Sequence, residues 1–259
     1  MKGVLAHNAV EMSADLALVR ALEERCFNAW PAQSSLLMQG WLVRCGDGFT
    51  GRANSVSPLF PDRLPDDALI DAVSARFTAA GLKPTFRLTP LAPQGCAEHL
   101  IARGFAADKP SLVLHLPQIA AAAPDPRAEV TAAPTPDWIA GATHSYGDRA
   151  DTLPALTKLL ARMSLPAGYV TLRVDSVGVA YGLAVAERGM VGLFDLSVAP
   201  AHRRAGLGRA LIDALLAYGR AQGASSAYLQ VSGGNSAARA LYESVGFKSV
   251  YPYTYFVRP

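Results

Sequence analysis

The segment Arg203-Arg204-Ala205-Gly206-Leu207-Gly208-Arg209 has the make-up of an anion cradle. It follows an apolar run ending at Val198 and opens an amphipathic one, in which Leu207, Leu211, Leu215 and Tyr218 recur every three or four residues. The glycines therefore stand at a helix N-terminus. A first helical turn presents unpaired N–H groups and roughly half a positive charge. Glycine keeps no side chain between those donors and phosphate oxygens, and Arg203, Arg204 and Arg209 add cationic donors beside them. Such chemistry suits a pyrophosphate. Two familiar phosphate loops do not fit: a P-loop needs Lys-Ser/Thr after its second glycine, where Arg209-Ala210 stands, and a dinucleotide fingerprint needs a third glycine, where Leu211 stands. Taken alone, Gly-x-Gly also describes a tight turn into a helix.

These residues need a strand and helices to hold them, and the flanking pattern supplies both. Residues 169–174, 178–186 and 192–198 read as successive strands, rich in Val, Leu and aromatics and separated by Asp-Ser and Arg-Gly turns. An antiparallel meander is expected. A helix over 207–222 follows, with Gly223 as its stop, and then a short buried strand over 227–231. A second helix spans 236–245, with Asn235 at the cap position and Gly246 just past the end, and an aromatic strand over 251–257 closes the chain. Helical material is expected earlier, around 138–143 and 153–163. The fold class is α/β, with a mixed, largely antiparallel central sheet flanked by helices.

With 51% hydrophobic and 17% charged residues, the 259-residue chain suits one large domain or two small ones and is neither disordered nor collagen-like. The net charge of +3 comes from scattered Lys and Arg, with no basic run to follow a nucleic-acid backbone. Cys26, Cys45 and Cys96 are odd in number and lack C-x-x-C spacing, which suggests neither a disulfide framework nor a metal site and points to a reducing cytoplasm. No leader-like segment and no run of eighteen apolar residues suggests export or a membrane. The proline-interrupted, alanine-rich stretch 116–136 is the best linker candidate. The expected organisation is a domain over 1–117, a linker over 118–126 and a domain over 127–259. A gapless shift of 142 positions lays Ala68-Leu69-Ile70-Asp71-Ala72 over Ala210-Leu211-Ile212-Asp213-Ala214, Gly81 over Gly223 and Gly104-Phe105 over Gly246-Phe247. We read this as a tandem duplication of one fold.

The stretch from Val198 to Leu211 resembles the Q/R-x-x-G-x-G/A segment of the GNAT N-acetyltransferase superfamily, with Arg203, Gly206 and Gly208 in its defining places. The stretch from Asn235 to Phe247 resembles the same family's N-x-x-A-x-x-L-Y-x-x-x-G-F segment at every named position, Ala238 and Tyr242 included. The likeness covers roughly 127–259. It implies the GNAT fold and acetyl-CoA as cofactor, held by Leu196, Ser197, Val198, Arg203, Arg204, Ala205, Gly206, Leu207, Gly208, Arg209, Asn235 and Ala238. A strand bulge is implied as well, splaying this strand from the one over 227–231 so that the pantetheine arm can enter.

Acyl transfer from a thioester to an amine develops an oxyanion, and the resemblance makes the Val198 N–H its donor. Tyr242 matches the family's proton donor to the departing thiolate; a phenol with pKa about 10 is protonated at neutral pH. The reading beside it is a packing tyrosine. Asn235 can cap, bind or do both. Asp195, sharing a strand face with Ser197 opposite Phe194, Leu196 and Val198, is the first candidate for the base, and a solvent-facing strand-end Asp is the alternative. His144, Tyr146 and Asp148 fall in a region that covers the acceptor in relatives, while His202 reads as solvated. Carried back by the same shift, Arg203, Gly206 and Gly208 become Pro61, Leu64 and Asp66, and Asn235 and Tyr242 become Pro93 and Leu100, so the first half has lost the cofactor site. Residues 40–44 and 49–55 of that half read as two strands joined by a Gly-Asp-Gly turn; Arg52 and Asn54 are expected to face the acceptor cleft, with a surface or structural role as the alternative. The expected activity is N-acetylation of a primary amine of unknown identity by direct attack, without a metal, by a monomer or homodimer. The alternative is a non-catalytic acyl-CoA-binding regulator.

Overall fold

A computed structural model describes residues 15–121, 123–146 and 151–259; Asp148 lies outside them. In chain order the first half holds α1 (Leu16–Ala29), β1 (Ser34–Met38), β2 (Trp41–Cys45), β3 (Ser55–Pro58), α2 (Asp67–Ala79), β4 (Thr85–Leu88), α3 (Cys96–Ala102) and β5 (Ala106–Leu116). The second holds β6 (Ala128–Thr131), α4 (Pro136–Thr143), α5 (Thr152–Leu160), β7 (Ala167–Val174), β8 (Val177–Glu187), β9 (Met190–Val198), α6 (Leu207–Ala221), β10 (Ser226–Ser232), α7 (Ser236–Val245) and β11 (Lys248–Val257). Among the described residues no helix is long and apolar enough to cross a membrane.

Local chemistry explains the main elements. The meander β7–β8–β9 turns at Asp175-Ser176 and Arg188-Gly189, all four with positive φ, the geometry that matches the twist of the strands it joins. Thr135 caps α4 by accepting from the Trp138 N–H, with Pro136 in the first turn. α7 starts at the Asn235 cap and stops at Gly246, whose φ of 108° an L side chain rarely adopts.

All eleven strands join one sheet in the order β1-β2-β3-β4-β11-β5-β10-β9-β8-β7-β6. Among the described residues only β3–β4 and β9–β10 are parallel. The duplicated register is visible in the elements: α2, β4, α3 and β5 each lie 142 positions before an element of their own kind, α6, β10, α7 and β11, with ends agreeing within two residues. Their last strands are exchanged. β5 inserts between β10 and β11, while β11 pairs with β4, so each half completes the other's sheet. Along β11, Tyr251, Tyr253 and Tyr255 face the aromatic core under α1, α4 and α5, and Phe256 faces the core under α2 and α3. A third core lies under α6 and α7 on the latter side of the sheet and includes Leu114 and Leu116 of β5.

Two sequence expectations give way here. Residues 49–55 do not form a strand. Residues 51–53 make a single 3-10 turn, and the strand pairing with β2 starts at Ser55. The Asn54 side chain imposes this loop, its Oδ1 accepting from the N–H groups of Gly46 and Gly48 and its Nδ2 donating to the carbonyls of Phe49 and Thr50. The stretch 116–136 is also not wholly linker, because β6 within it pairs with β7 and forms one edge of the sheet.

Candidate active site

The site begins where two strands part. β9 and β10 pair from Met190/Ser226 to Leu193/Leu229, and both continue beyond that point, β9 to Val198 and β10 to Ser232. A bulge in β9 causes the parting: Leu183 of β8 faces Phe194 and Tyr181 faces Ser197, so two residues of β9 oppose one of β8, and Asp195 sits at φ 52°. Past the bulge, the Ala199 N–H donates to the Val179 carbonyl, one step beyond the Ala180/Val198 pair. In an alternating antiparallel ladder Val198 then holds its own N–H and C=O away from β8. They point into the gap facing β10.

The bulge corrects the expected faces. Phe194 belongs to the core under α1, α4 and α5, whereas Leu196 and Val198 pack against the one under α6 and α7. Strict alternation would have placed all three together, and the extra residue reverses the sides. Leu196 and Val198 flank the gap, while the Ser197 hydroxyl is committed to the Gly141 carbonyl of α4 at 3.0 Å.

Below the gap the chain turns into α6. Gly206 takes φ 77° at the cap position, exposed, with open space where a Cβ would stand, and Gly208 lies against Leu241 of α7. Ala205 is exposed, and Leu207 is buried in the core beneath the loop. Arg203 donates through Nε to the Val198 carbonyl at 3.1 Å, which ties the loop to the strand end, and Arg204 is exposed at φ 65°. Arg209 is less free than its sequence neighbourhood suggests: both Asp213 carboxylate oxygens lie 3.0 Å from its Nε. Asn235 caps α7 by accepting from the Ala238 N–H at 3.1 Å, and Ala238 is half-buried against the same core. Tyr242 is buried with its ring edge toward Phe247, and its hydroxyl bonds no described residue. Burial raises its pKa to about 12.

On the opposite face, Asp195 is not a solvent-facing strand end: its side chain is 1% exposed. Tyr146 donates a short hydrogen bond to its Oδ1, and Arg52 lies 3.6 Å from that oxygen and 3.1 Å from the Tyr146 hydroxyl. Oδ2 is buried and unpartnered among the described residues. Burial raises the Asp195 pKa above the usual carboxylate value, against the opposing pull of Arg52 and Tyr146. Burial and the neighbouring Asp195 raise the Tyr146 phenol well above its own. The Arg52 guanidinium rests 4.2 Å over Trp30, which stacks on Phe194 with centroids 5.7 Å apart.

The structure thus joins Asp195 and Tyr146 to Arg52, a residue of the first half. His144 is exposed at the end of α4, and His202 lies half-buried in the turn before Arg203. Asn54 is spent on its own loop and does not join the cluster. Sequence reasoning missed Trp30 and the whole of α1, which covers this face. A signal was present: Val19, Leu22, Cys26 and Ala29 form a helical stripe, and Glu23 is buried in it. Its carboxylate pairs with Arg87 and accepts from the Tyr251 hydroxyl at 2.6 Å. The matching loop of the first half holds no cradle, because Asp66 caps α2 with its own carboxylate, accepting from the Leu69 N–H at 2.8 Å.

The arrangement offers the first-turn N–H groups of α6 beside the exposed Gly206, Arg203 and Arg204, a gap between parted strands into which the Val198 N–H points, and a phenol and a carboxyl on opposite faces of the sheet. A ligand with a pyrophosphate at one end and a long thin arm at the other fits these features. Residues 16–256 match the family described as "Probable histone acetyltransferase Rv0428c C-terminal". The probable histone acetyltransferase Rv0428c of Mycobacterium tuberculosis is 27% identical over 249 residues, covering 90% of this chain and 71% of the relative. The uncharacterized N-acetyltransferase YobR of Bacillus subtilis is 24% identical over 245 residues, covering 93% and 98%. A solved GCN5-related N-acetyltransferase from Kribbella flavida shares the fold with a TM-score of 0.66 at 18% identity, over 95% of this chain and 96% of that one. From the residues of β9, α6 and α7 and from these matches, the chain belongs to the Rv0428c C-terminal family within the GNAT superfamily, whose members transfer acyl groups from acetyl-CoA.

Proposed function

We propose that the protein N-acetylates a primary amine by direct transfer, with Asp195 as the base and Tyr242 as the proton donor. Acetyl-CoA, when bound, supplies the electrophilic acetyl thioester. The exposed N–H groups around Gly206 and Gly208, with Arg203 and Arg204, would hold its pyrophosphate. Leu196, Val198 and Ala238 would flank its arm. The Val198 N–H is turned into the gap and would stabilise negative charge developing on the acyl oxygen. Tyr242 is protonated at neutral pH as any phenol is, and burial raises its pKa further, so a proton is in place for a departing thiolate. Asp195 sits three residues before Val198, with Oδ1 held by Tyr146 and Oδ2 bare, and a carboxylate with a raised pKa is the better proton acceptor. Arg52 and Tyr146 position it.

The observation that carries this reading is the buried, unpartnered Oδ2 of Asp195 beside the parted strands. The test is coenzyme A release over a panel of amines, with Tyr242→Phe beside the wild type. Turnover that the variant loses supports the reading. Acetyl-CoA binding with no turnover on any amine would instead indicate an acyl-CoA-binding regulator.

A further inference from the structure

The acetyl-transfer reading leaves unused a group of buried arginines where the two halves meet. Arg44, Arg52 and Arg87 line a crevice together with Cys26, Phe27 and Gln230. Its room of about 10 Å³ is on the order of one water-sized group, enough for a carboxylate oxygen. Two of the guanidiniums are matched: Glu23 takes both terminal nitrogens of Arg87, and Asp195 stands beside Arg52. Arg44 has no carboxylate partner among the described residues. It donates to the backbone carbonyls of Arg52 at 2.7 Å, Phe27 at 3.1 Å and Trp30. Three guanidiniums therefore face two carboxylates in a buried space. Burial, and after it the field of Arg87, lowers the Arg44 pKa to about 10, which leaves it charged at neutral pH. An uncompensated buried charge is costly, and an anion brought by a ligand would offset that cost.

The position of the crevice says which ligand. Gln230 is the first residue of β10 beyond its last pair with β9, so the crevice lies where the strands part. Arg52 forms its wall and also stands 3.6 Å from Asp195. Arg52 thus touches both places, so one small molecule that carries an amine and an anion, as a small amino acid does, would meet Asp195 and the crevice together. A polyamine or a basic peptide would instead bring further positive charge against the arginines.

We infer that the acceptor is a small amino acid whose carboxylate sets one oxygen into the crevice of Arg44, Arg52 and Arg87 while its amine meets Asp195. The inference takes its acceptor from the N-acetyltransferase reading, and the test separates the two. Coenzyme A release is measured for free amino acids, their carboxamides, spermidine and a histone H3 tail peptide. Binding of the N-acetylated amino acids is measured by thermal shift and calorimetry, which need no turnover. The free acids should exceed their carboxamides at least tenfold in kcat/KM. Arg44→Gln should collapse that preference through KM, and Arg44→Lys should keep part of it. Should no amine turn over, carboxylate binding that is present in wild type and lost in Arg44→Gln would uphold the anion site while the transferase reading falls. Carboxamides, spermidine or the peptide turning over as well as the free acids, or no carboxylate binding to a folded wild type, would overturn the inference.

Discussion

Replacing Asp195 by Asn tests the candidate base with little change of shape. The amide keeps an oxygen to accept from Tyr146 and fits the same buried volume, so the wall of the gap should stay in place. The net direction of the Asp195 pKa shift predicts the effect on stability. Burial outweighs the attraction of Arg52, so the fold prefers the uncharged side chain, and Asn is uncharged. The thermal midpoint should therefore hold or rise at neutral pH, within about 1 kcal/mol, or about 2–4 °C for a chain of this size. The pH dependence follows with the same sign. The folded protein holds this proton more tightly than the unfolded chain, so this contribution to stability is full below about pH 3.9 and is lost as pH rises through the higher folded value. The variant should lack that loss. Activity should move the other way: removing a general base costs about 10² to 10⁴ in kcat, or about 2.7 to 5.4 kcal/mol of barrier. The wild-type acid limb in kcat/KM should lie above the ordinary carboxylate range and vanish from the residual activity of the variant. A kcat within tenfold of wild type with an unmoved acid limb would refute Asp195 as the base, and a midpoint falling by 10 °C would refute the burial argument.

Tyr242→Phe keeps the ring against Phe247 and removes a hydroxyl that bonds no described residue, so melting should shift by about 2 °C at most while kcat falls about a hundredfold and acetyl-CoA affinity persists. Gly206→Ala and Gly81→Ala form a matched pair: both glycines sit at positive φ, 77° and 69°, with open space for a Cβ, so each should cost about 1–2 kcal/mol in a denaturant titration. Only the Gly206 change should also weaken acetyl-CoA binding by calorimetry, and equal effects on binding would count against the cradle. Glu23→Gln leaves the Arg87 guanidinium, 3% exposed, without its carboxylate, and urea unfolding should show a loss of about 3–5 kcal/mol.

The elements that carry the candidate cofactor side were legible from the sequence because their signals are local. Gly206, Gly246 and Asn235 mark helix ends by backbone geometry and capping, and the leucine spacing of α6 is set by the helix period itself. The acceptor side was only half legible. Asp195 and Arg52 could be named separately, but one extra residue in β9 determines which way Asp195 faces, and aspartate is among the few residues that tolerate φ near 52° without announcing it. The buried Glu23 could be read as out of place on its helix, yet its partner Arg87 lies 64 positions away. The strand exchange had no local mark at all, since β5 and β11 are compatible in composition with pairing in either half.

That exchange bears on why a half without a cradle persists. By sequence register α2 is the counterpart of α6, and Asp66 occupies with its own carboxylate the donors that Gly206 and Gly208 leave open. As a cofactor site that half is closed. Yet β10, which walls the gap, has β5 as its antiparallel neighbour, and β11 is anchored on β4, so the walls of the second half's site are built partly from the first. The Asp195 face is covered by Trp30, just past the end of α1, and Arg52 reaches it from the loop before β3. A change at Trp30, Arg52 or β5 therefore acts on the walls of the candidate site, although those residues lie in the half whose own loop is closed.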